Sequence, residues 1–148
     1  MAFFAGEIVT AGRLNRLQPV SYKVAASGAL TLTTTVTDVP GATITLTTLT
    51  ANAVYKAWAV FDMAVTTAAA GINMNGYLSV DGAQQTEVAA HEMVAADLDT
   101  VAQNWRGTLA TAGSHTLKLR GNRGASGTAV GDIAATHTTL IVEITEVA

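Results

Sequence analysis

The chain has no cysteine among its 148 residues, which excludes a disulfide framework, thiolate metal sites and a cysteine nucleophile. Charge is also scarce. Only 13% of residues are Asp, Glu, Lys or Arg, about half the roughly 25% of ordinary soluble domains. Eight basic residues against eleven acidic ones leave a net charge of −3. Nucleic-acid binding relies on a basic field against phosphate, so no nucleic-acid partner is expected. No unbroken apolar stretch is longer than that of residues 57–61, which falls far short of the roughly 20 residues of a membrane-spanning helix, and no membrane partner is expected. The segment from Met1 through Glu7 has neither a basic n-region nor a long apolar h-region, so it does not read as an export signal.

A chain of this length suits one domain and buries about 68–70% of its unfolded surface without a staple. Hydrophobic types nevertheless reach 49%. With so few charges to cover the surface, the expected outlet is a protein partner, first of all a second copy of the chain. The alternative is a neutral polar surface supplied by the abundant threonines.

The dominant pattern is alternation. Over residues 28–37, Leu30 and Leu32 fall on one face and threonines on the other. Val39-Pro40-Gly41 reads as a turn, because proline presets φ and glycine tolerates the conformation a turn needs next. Alternation then resumes with Ala42, Ile44 and Leu46 inward. Residues 54–66 are apolar on both faces, with Tyr55, Ala57, Ala59 and Phe61 on one and Val54, Trp58 and Val60 on the other. That pattern predicts a central strand buried on both sides, against a second sheet or another subunit. Further strands are predicted over 74–80, 84–92, 101–109, 115–120 and 137–147. Asp81-Gly82 is a strong hairpin turn and Ala112-Gly113-Ser114 a second turn. Residues 95–99 read as a loop and 121–131 as a glycine-rich one. Leu117 and Leu119 face inward with Lys118 and Arg120 outward, and Leu140, Val142 and Ile144 lie on the core side of the last strand. Eight to ten strands at this spacing predict an all-β fold, a jelly-roll β-sandwich.

One helix is expected near the start, capped by Thr10, carrying Leu14 and Leu17 on one face and stopped by Pro19. It is too short to be stable alone and should fold only when docked on its own β domain or on a partner. The organisation is therefore a dockable N-terminal arm with a short helix over residues 1–19 and a β domain over 20–148. The arm residues expected to contact a partner are Ile8, Arg13, Leu14, Arg16 and Leu17.

No motif points to catalysis. His91-Glu92 lacks the second histidine of a zinc peptidase, since Ala95 stands at the required position. A looser ligand set of Asp81, Glu87, His91 and Asp97 has poor spacing, and neither a metal nor another cofactor is expected. His115 and His137 sit beside Ser114 and Thr138 as structural histidines, with no nucleophile elbow. Arg120 and Arg123 could meet an acidic partner. Trp58 is expected in the core. Trp105, between Asn104 and Arg106, is expected there too, with exposure left open. An exposed tryptophan would suit the competing reading, a carbohydrate-binding module.

The segment Phe4-Ala-Gly-Glu-Ile-Val-Thr-Ala-Gly-Arg-Leu-Asn-Arg-Leu-Gln18 resembles the opening of small virion proteins of tailed bacteriophages. Ala112-Gly-Ser-His-Thr-Leu-Lys-Leu-Arg120 and Thr138-Thr-Leu-Ile-Val-Glu-Ile144 resemble the last strands of phage jelly rolls akin to the C1q/tumour-necrosis-factor shape. Together these matches cover about a third of the chain. The resemblance implies a homotrimer made in the bacterial cytoplasm and incorporated into the virion. Its arm would hold it to the major capsid protein or another virion protein, as in capsid decoration proteins and head fibres. A small tail or baseplate protein is the alternative within the same resemblance.

Overall fold

The computed structural model describes residues 11–146. Its strands form two antiparallel five-stranded sheets, the expected jelly roll. Helix α1 (Ala11–Arg16) comes first. Sheet I carries β1 (Val20–Ala25), β10 (Val130–Thr145), β4 (Ala53–Thr67) and β8 (Leu98–Leu109) in that order, with β2 (Leu30–Thr31) also on β10. Sheet II carries β3 (Thr37–Thr48), β9 (Gly113–Arg123) and β5 (Asn73–Val80), with β6 (Ala83–Gln84) and β7 (Ala89–Glu92) both on β5.

The core lies between the sheets and is built by the period-two alternation. Ala42, Ile44 and Leu46 of β3 and Leu117 and Leu119 of β9 face Tyr55, Ala57, Ala59 and Phe61 of β4 and Leu140, Val142 and Ile144 of β10, all of them buried. The Asp81-Gly82 hairpin forms as expected, with φ of 50° and 87° at its two central residues.

Several local expectations are corrected. Val39-Pro40-Gly41 is not a turn between strands but an irregularity inside β3, where the register with β9 shifts between Asp38 and Thr43. β3 is the edge strand of sheet II, which tolerates a proline without a ladder N–H. The Pro40 carbonyl instead accepts a hydrogen bond from the Ser27 N–H at 2.9 Å. Gly41 takes a φ of 75°, with Ser27 packed where its Cβ would stand.

Of residues 28–37, Leu30 and Thr31 pair with β10 and Thr37 opens β3. Between them the Thr33 hydroxyl accepts from the Thr35 N–H at 3.2 Å, so the side chain competes with ladder formation. The expected loop over 121–131 shrinks to 124–129. Gly121 pairs with Gly76 inside sheet II, and a Cβ there would collide with Ile133 Cδ1. Glycine at this position serves close packing rather than a turn. The last strand starts at Val130 rather than His137 and bulges between Ala134 and Thr139. β1 is not among the expected strands, although Val20, Tyr22 and Val24 alternate along it.

Candidate interaction surface

The outer side of sheet I is the most unusual surface of the molecule. Alternation that sends Tyr55, Ala57, Ala59 and Phe61 inward must send Val54, Lys56, Trp58 and Val60 outward. Trp58 is 42% exposed, so the expected core position is corrected. The second apolar face of β4 meets neither another sheet nor a loop among the described residues. Strand register places Lys23, Ile141, Trp58 and Asn104 in one row across β1, β10, β4 and β8. The neighbouring rows are Ala25, Thr139, Val60 and Ala102 on one side, and Ser21, Glu143, Lys56 and Arg106 on the other. Trp58, Val60, Ala102, Asn104, Thr139 and Ile141 line a shallow hollow of about 190 Å³. Further along β8 the face ends on Leu98, which is 61% exposed.

Asp62 marks the far end of this face. It is 1% exposed beside the bulge of β10. One carboxylate oxygen accepts from the His137 N–H at 3.3 Å and lies 3.1 Å from His137 Nδ1. The Asp62 N–H donates to Thr138 Oγ1 at 3.0 Å, and that hydroxyl donates to the Ala134 carbonyl at 2.6 Å. The other Asp62 oxygen is buried without a hydrogen-bond partner. The bulge is thus held by side chains rather than by ladder bonds.

The other tryptophan is where the sequence places it. Trp105 is 3% exposed and its indole N–H donates to the Glu87 carbonyl at 2.9 Å. It offers no platform to a sugar.

The remaining histidines are structural neighbours of acids. His91 Nε2 lies 3.2 Å from Asp97 Oδ1, and Nδ1 lies 3.7 Å from Asp99 Oδ2. Asp81 and Glu87, which the loose metal set included, are not part of this cluster. His115 is buried, with Nδ1 2.7 Å from Asp81 Oδ2 and Nε2 3.0 Å from the Thr111 carbonyl. Both ring nitrogens face acceptors, so both are satisfied only when both carry protons. The Asp81 hydrogen bond, opposed by burial and aided by Thr111, raises the His115 pKa above its ordinary 6.5. For Asp81, burial pushes upward, but hydrogen bonds from His115 and the Thr116 N–H prevail and lower it below 3.8. These two shifts couple stability to pH with opposite signs. The His115 contribution is complete below pH 6.5 and is lost as pH rises through the raised folded value. The Asp81 contribution is present above 3.8 and is lost as pH falls through the lowered one. In urea unfolding, the stability advantage of the wild type over His115→Gln is therefore expected to be larger at pH 6 than well above neutrality. An advantage independent of pH would mean that His115 does not titrate with the fold.

Arg120 and Arg123 are occupied within the chain. Arg120 Nε and Lys118 Nζ hold Asp38 at 2.9 and 2.7 Å, and Arg123 donates to the Gly127 and Ala129 carbonyls, closing the 124–129 loop. The Lys118 hydrogen bond is the main cause that keeps the Asp38 carboxyl below its usual range.

Of the expected arm residues, Ile8 lies outside the described residues. Arg13, Leu14 and Arg16 fall in α1, and Leu17 comes directly after it. Leu14 is half exposed and Leu17 half-buried, so Leu14 is not packed away on the β domain. Asn15 and Gln18 lie beside a cleft of about 380 Å³ whose other walls include Val20, Tyr22, Leu49 and Ile144. Among the described residues, no helix is long and apolar enough to cross a membrane.

The chain matches no protein-family profile and no curated protein. Its likeness is to solved jelly rolls. Murine APRIL, of the tumour-necrosis-factor family, aligns with a TM-score of 0.51 at 12% identity, over 85% of this chain and 98% of that one. Dimeric latent PorU from Porphyromonas gingivalis aligns with a TM-score of 0.52 at 11% identity, over 86% of this chain. Only 13% of PorU is covered, so the chain matches a small part of that protein. The Gx strain of infectious bursal disease virus aligns at 0.44 and 14% identity, over 88% of this chain and 37% of that one. At these identities the likeness is one of fold: the chain is a two-sheet jelly roll of the shape shared with the tumour-necrosis-factor family.

Proposed function

We propose that the protein is a non-enzymatic structural component of a bacteriophage virion, a homotrimeric capsid decoration protein whose N-terminal arm attaches it to the particle. The observation that carries this reading is the outer face of sheet I, where Trp58, Val60, Ala102 and Ile141 form an apolar stripe that no part of the described chain covers. Stripes of this kind on a small domain mark protein interfaces. A homotrimer covers it without any further component.

The second support is the arm. α1 has six residues, too few to persist by its own hydrogen bonds, and it leaves Leu14 half exposed. In this reading the major capsid protein or another virion protein packs on Leu14 and Leu17. Ile8, Arg13 and Arg16 belong to the same arm. The place of action is the virion, and the chain is made in the bacterial cytoplasm. Neither nucleic acid nor membrane is a partner. A tail or baseplate position would use the same arm and the same face.

Deleting residues 1–19 is expected to abolish co-sedimentation with particles that lack the protein, while the β domain keeps a cooperative unfolding transition. Truncated protein that still decorates particles would remove the anchoring role. A second reading has one observation of its own. Trp58 is exposed beside Asn104, its cross-strand neighbour, and an aromatic ring with a flanking amide suits a sugar ring. Glycan-array binding that disappears in Trp58→Ala would favour that reading over self-association.

A further inference from the structure

The side of the sandwich where β7 of sheet II and β8 of sheet I share no ladder brings three ligating side chains together. His91 stands opposite Met74 on β5, and Asp99 stands opposite Met63 on β4. Both methionines are fully buried, and residues directly opposite on paired strands share a face. His91 and Asp99 therefore take inner-face positions on the two sheets. The alternation that elsewhere fills such positions with apolar side chains here supplies an imidazole and a carboxylate, 3.7 Å apart across the mouth. Asp97 completes the group from the segment between the strands. Its carbonyl accepts from the Val65 N–H at 2.8 Å, and the Met93 N–H donates to the Ile72 carbonyl at 2.8 Å. The backbone carrying all three side chains is thus held by the sheets before any ligand arrives.

One nitrogen of His91 and one oxygen each of Asp97 and Asp99 lie within 4.8 Å of one another. His91 Nε2 and Asp97 Oδ1 are already 3.2 Å apart, close to the separation of about 3.4 Å between donors around a tetrahedral zinc ion. Asp99 is exposed and has the rotamer freedom to close the rest. Charge points the same way. Two carboxylates around one ring leave a negative charge uncompensated even when the imidazole is protonated. Among the described residues no Lys or Arg pairs with either acid. With the ring neutral, a single divalent ion cancels the two carboxylates. The largely buried imidazole separates this group from an acidic surface patch. It selects a first-row transition ion such as zinc over calcium or magnesium, which take shells of oxygen. We propose that His91, Asp97 and Asp99 bind a zinc-class divalent ion. The ion clamps β7 to β8, and so sheet II to sheet I, where no ladder joins them. The site lies within one chain and is independent of the assembly proposed above.

The test is calorimetric titration of zinc chloride into the tag-free, EDTA-treated full chain, with urea unfolding in parallel. Wild type is expected to bind one zinc ion per chain. Its urea midpoint is expected to rise with zinc, because an ion held only by the folded chain stabilises it. His91→Gln and Asp99→Asn are each expected to weaken binding by about a hundredfold or more and to lose that rise. Removing even an outer partner of a metal ligand costs about 10–100-fold. Circular dichroism verifies that both variants fold. His137→Gln removes the most exposed ring among the three histidines, the one beside Asp62, and is expected to leave zinc binding unchanged. Zinc binding that His91→Gln retains, or that His137→Gln abolishes, would overturn the assignment. Calcium binding as tight as zinc would overturn it too, by reducing the group to an acidic patch. A wild type that takes up no zinc would leave His91 as a ring clasped by two carboxylates, with no metal role.

Discussion

Trp58→Glu is expected to convert the proposed trimer into a monomer while leaving the β-sandwich folded. The two effects separate because Trp58 contributes little to the isolated chain. It points away from the core and is 42% exposed, and outward substitutions on a strand usually change stability by no more than about 0.5 kcal/mol. In an assembled particle the same indole would be buried at the centre of the contact, where tryptophan is the side chain most often found to dominate. Replacing it with a carboxylate removes that burial and leaves a charge in an apolar hollow lined by Val60, Ala102 and Ile141. A central truncation of this kind costs about 2–4 kcal/mol, or roughly a thirtyfold to thousandfold loss of affinity per contact. Light scattering across a concentration series reads the mass, and urea unfolding reads the fold. Trp58→Phe should remain trimeric, because the ring still fills the hollow. A Trp58→Glu protein of unchanged mass would exclude this face from any assembly.

The same residue marks the boundary of what the sequence makes legible. Ala42, Ile44, Leu46, Leu117, Leu119, Leu140, Val142 and Ile144 alternate with polar neighbours, and one alternating stripe has only one place to go. Residues 54–65 are apolar on both sides, which indicates burial on both without naming the covering partner. Among the described residues the chain supplies sheet II for one side and nothing for the other. Pro40 and Gly121 show a second boundary. Their local chemistry suits a turn and a loop, but an edge strand admits the proline and a crowded sheet needs the glycine. Neither fact is local in sequence. The acid–histidine pairs lie further still from reach. Asp81 and His115 are 34 positions apart, and Asp62 and His137 are 75 apart. Only the jelly-roll crossings bring them together. The arm is the converse case: Leu14 and Leu17 are plain in the sequence, but their use depends on a partner.

Gly76 is expected to be among the least replaceable positions in the molecule, and the reason is Phe61. Gly76 lies on β5 of sheet II and Phe61 on β4 of sheet I, so their contact spans the sandwich. A Cβ at Gly76 would stand 2.6 Å from Phe61 Cε1 and 2.7 Å from Cδ1 and Cζ. The ring is fully buried and cannot swing aside, because Met63, Met74 and Leu78 are buried in the same core. The backbone at Gly76 does not lie at positive φ, so the constraint is steric rather than conformational. Overpacking of this kind costs about 1–3 kcal/mol. Gly76→Val, with three extra carbons, belongs at the upper end or beyond. Phe61→Ala removes the ring instead and should cost about 3–5 kcal/mol through the cavity it leaves. The pair distinguishes crowding from a general loss of stability. If the ring is what excludes the methyl group, Gly76→Ala with Phe61→Leu should be destabilised by less than the sum of the two single changes, with a coupling of about 1 kcal/mol or more. Urea midpoints of the four proteins measure this directly. Strict additivity would mean that Gly76 is held by something other than Phe61. Gly107 provides the comparison, since Tyr55 covers it at a similar 2.6 Å but β8 is an edge strand. An edge can bend away from an added methyl group, whereas β5, held between β9 and the short strands β6 and β7, cannot, so Gly107→Ala should cost less than Gly76→Ala.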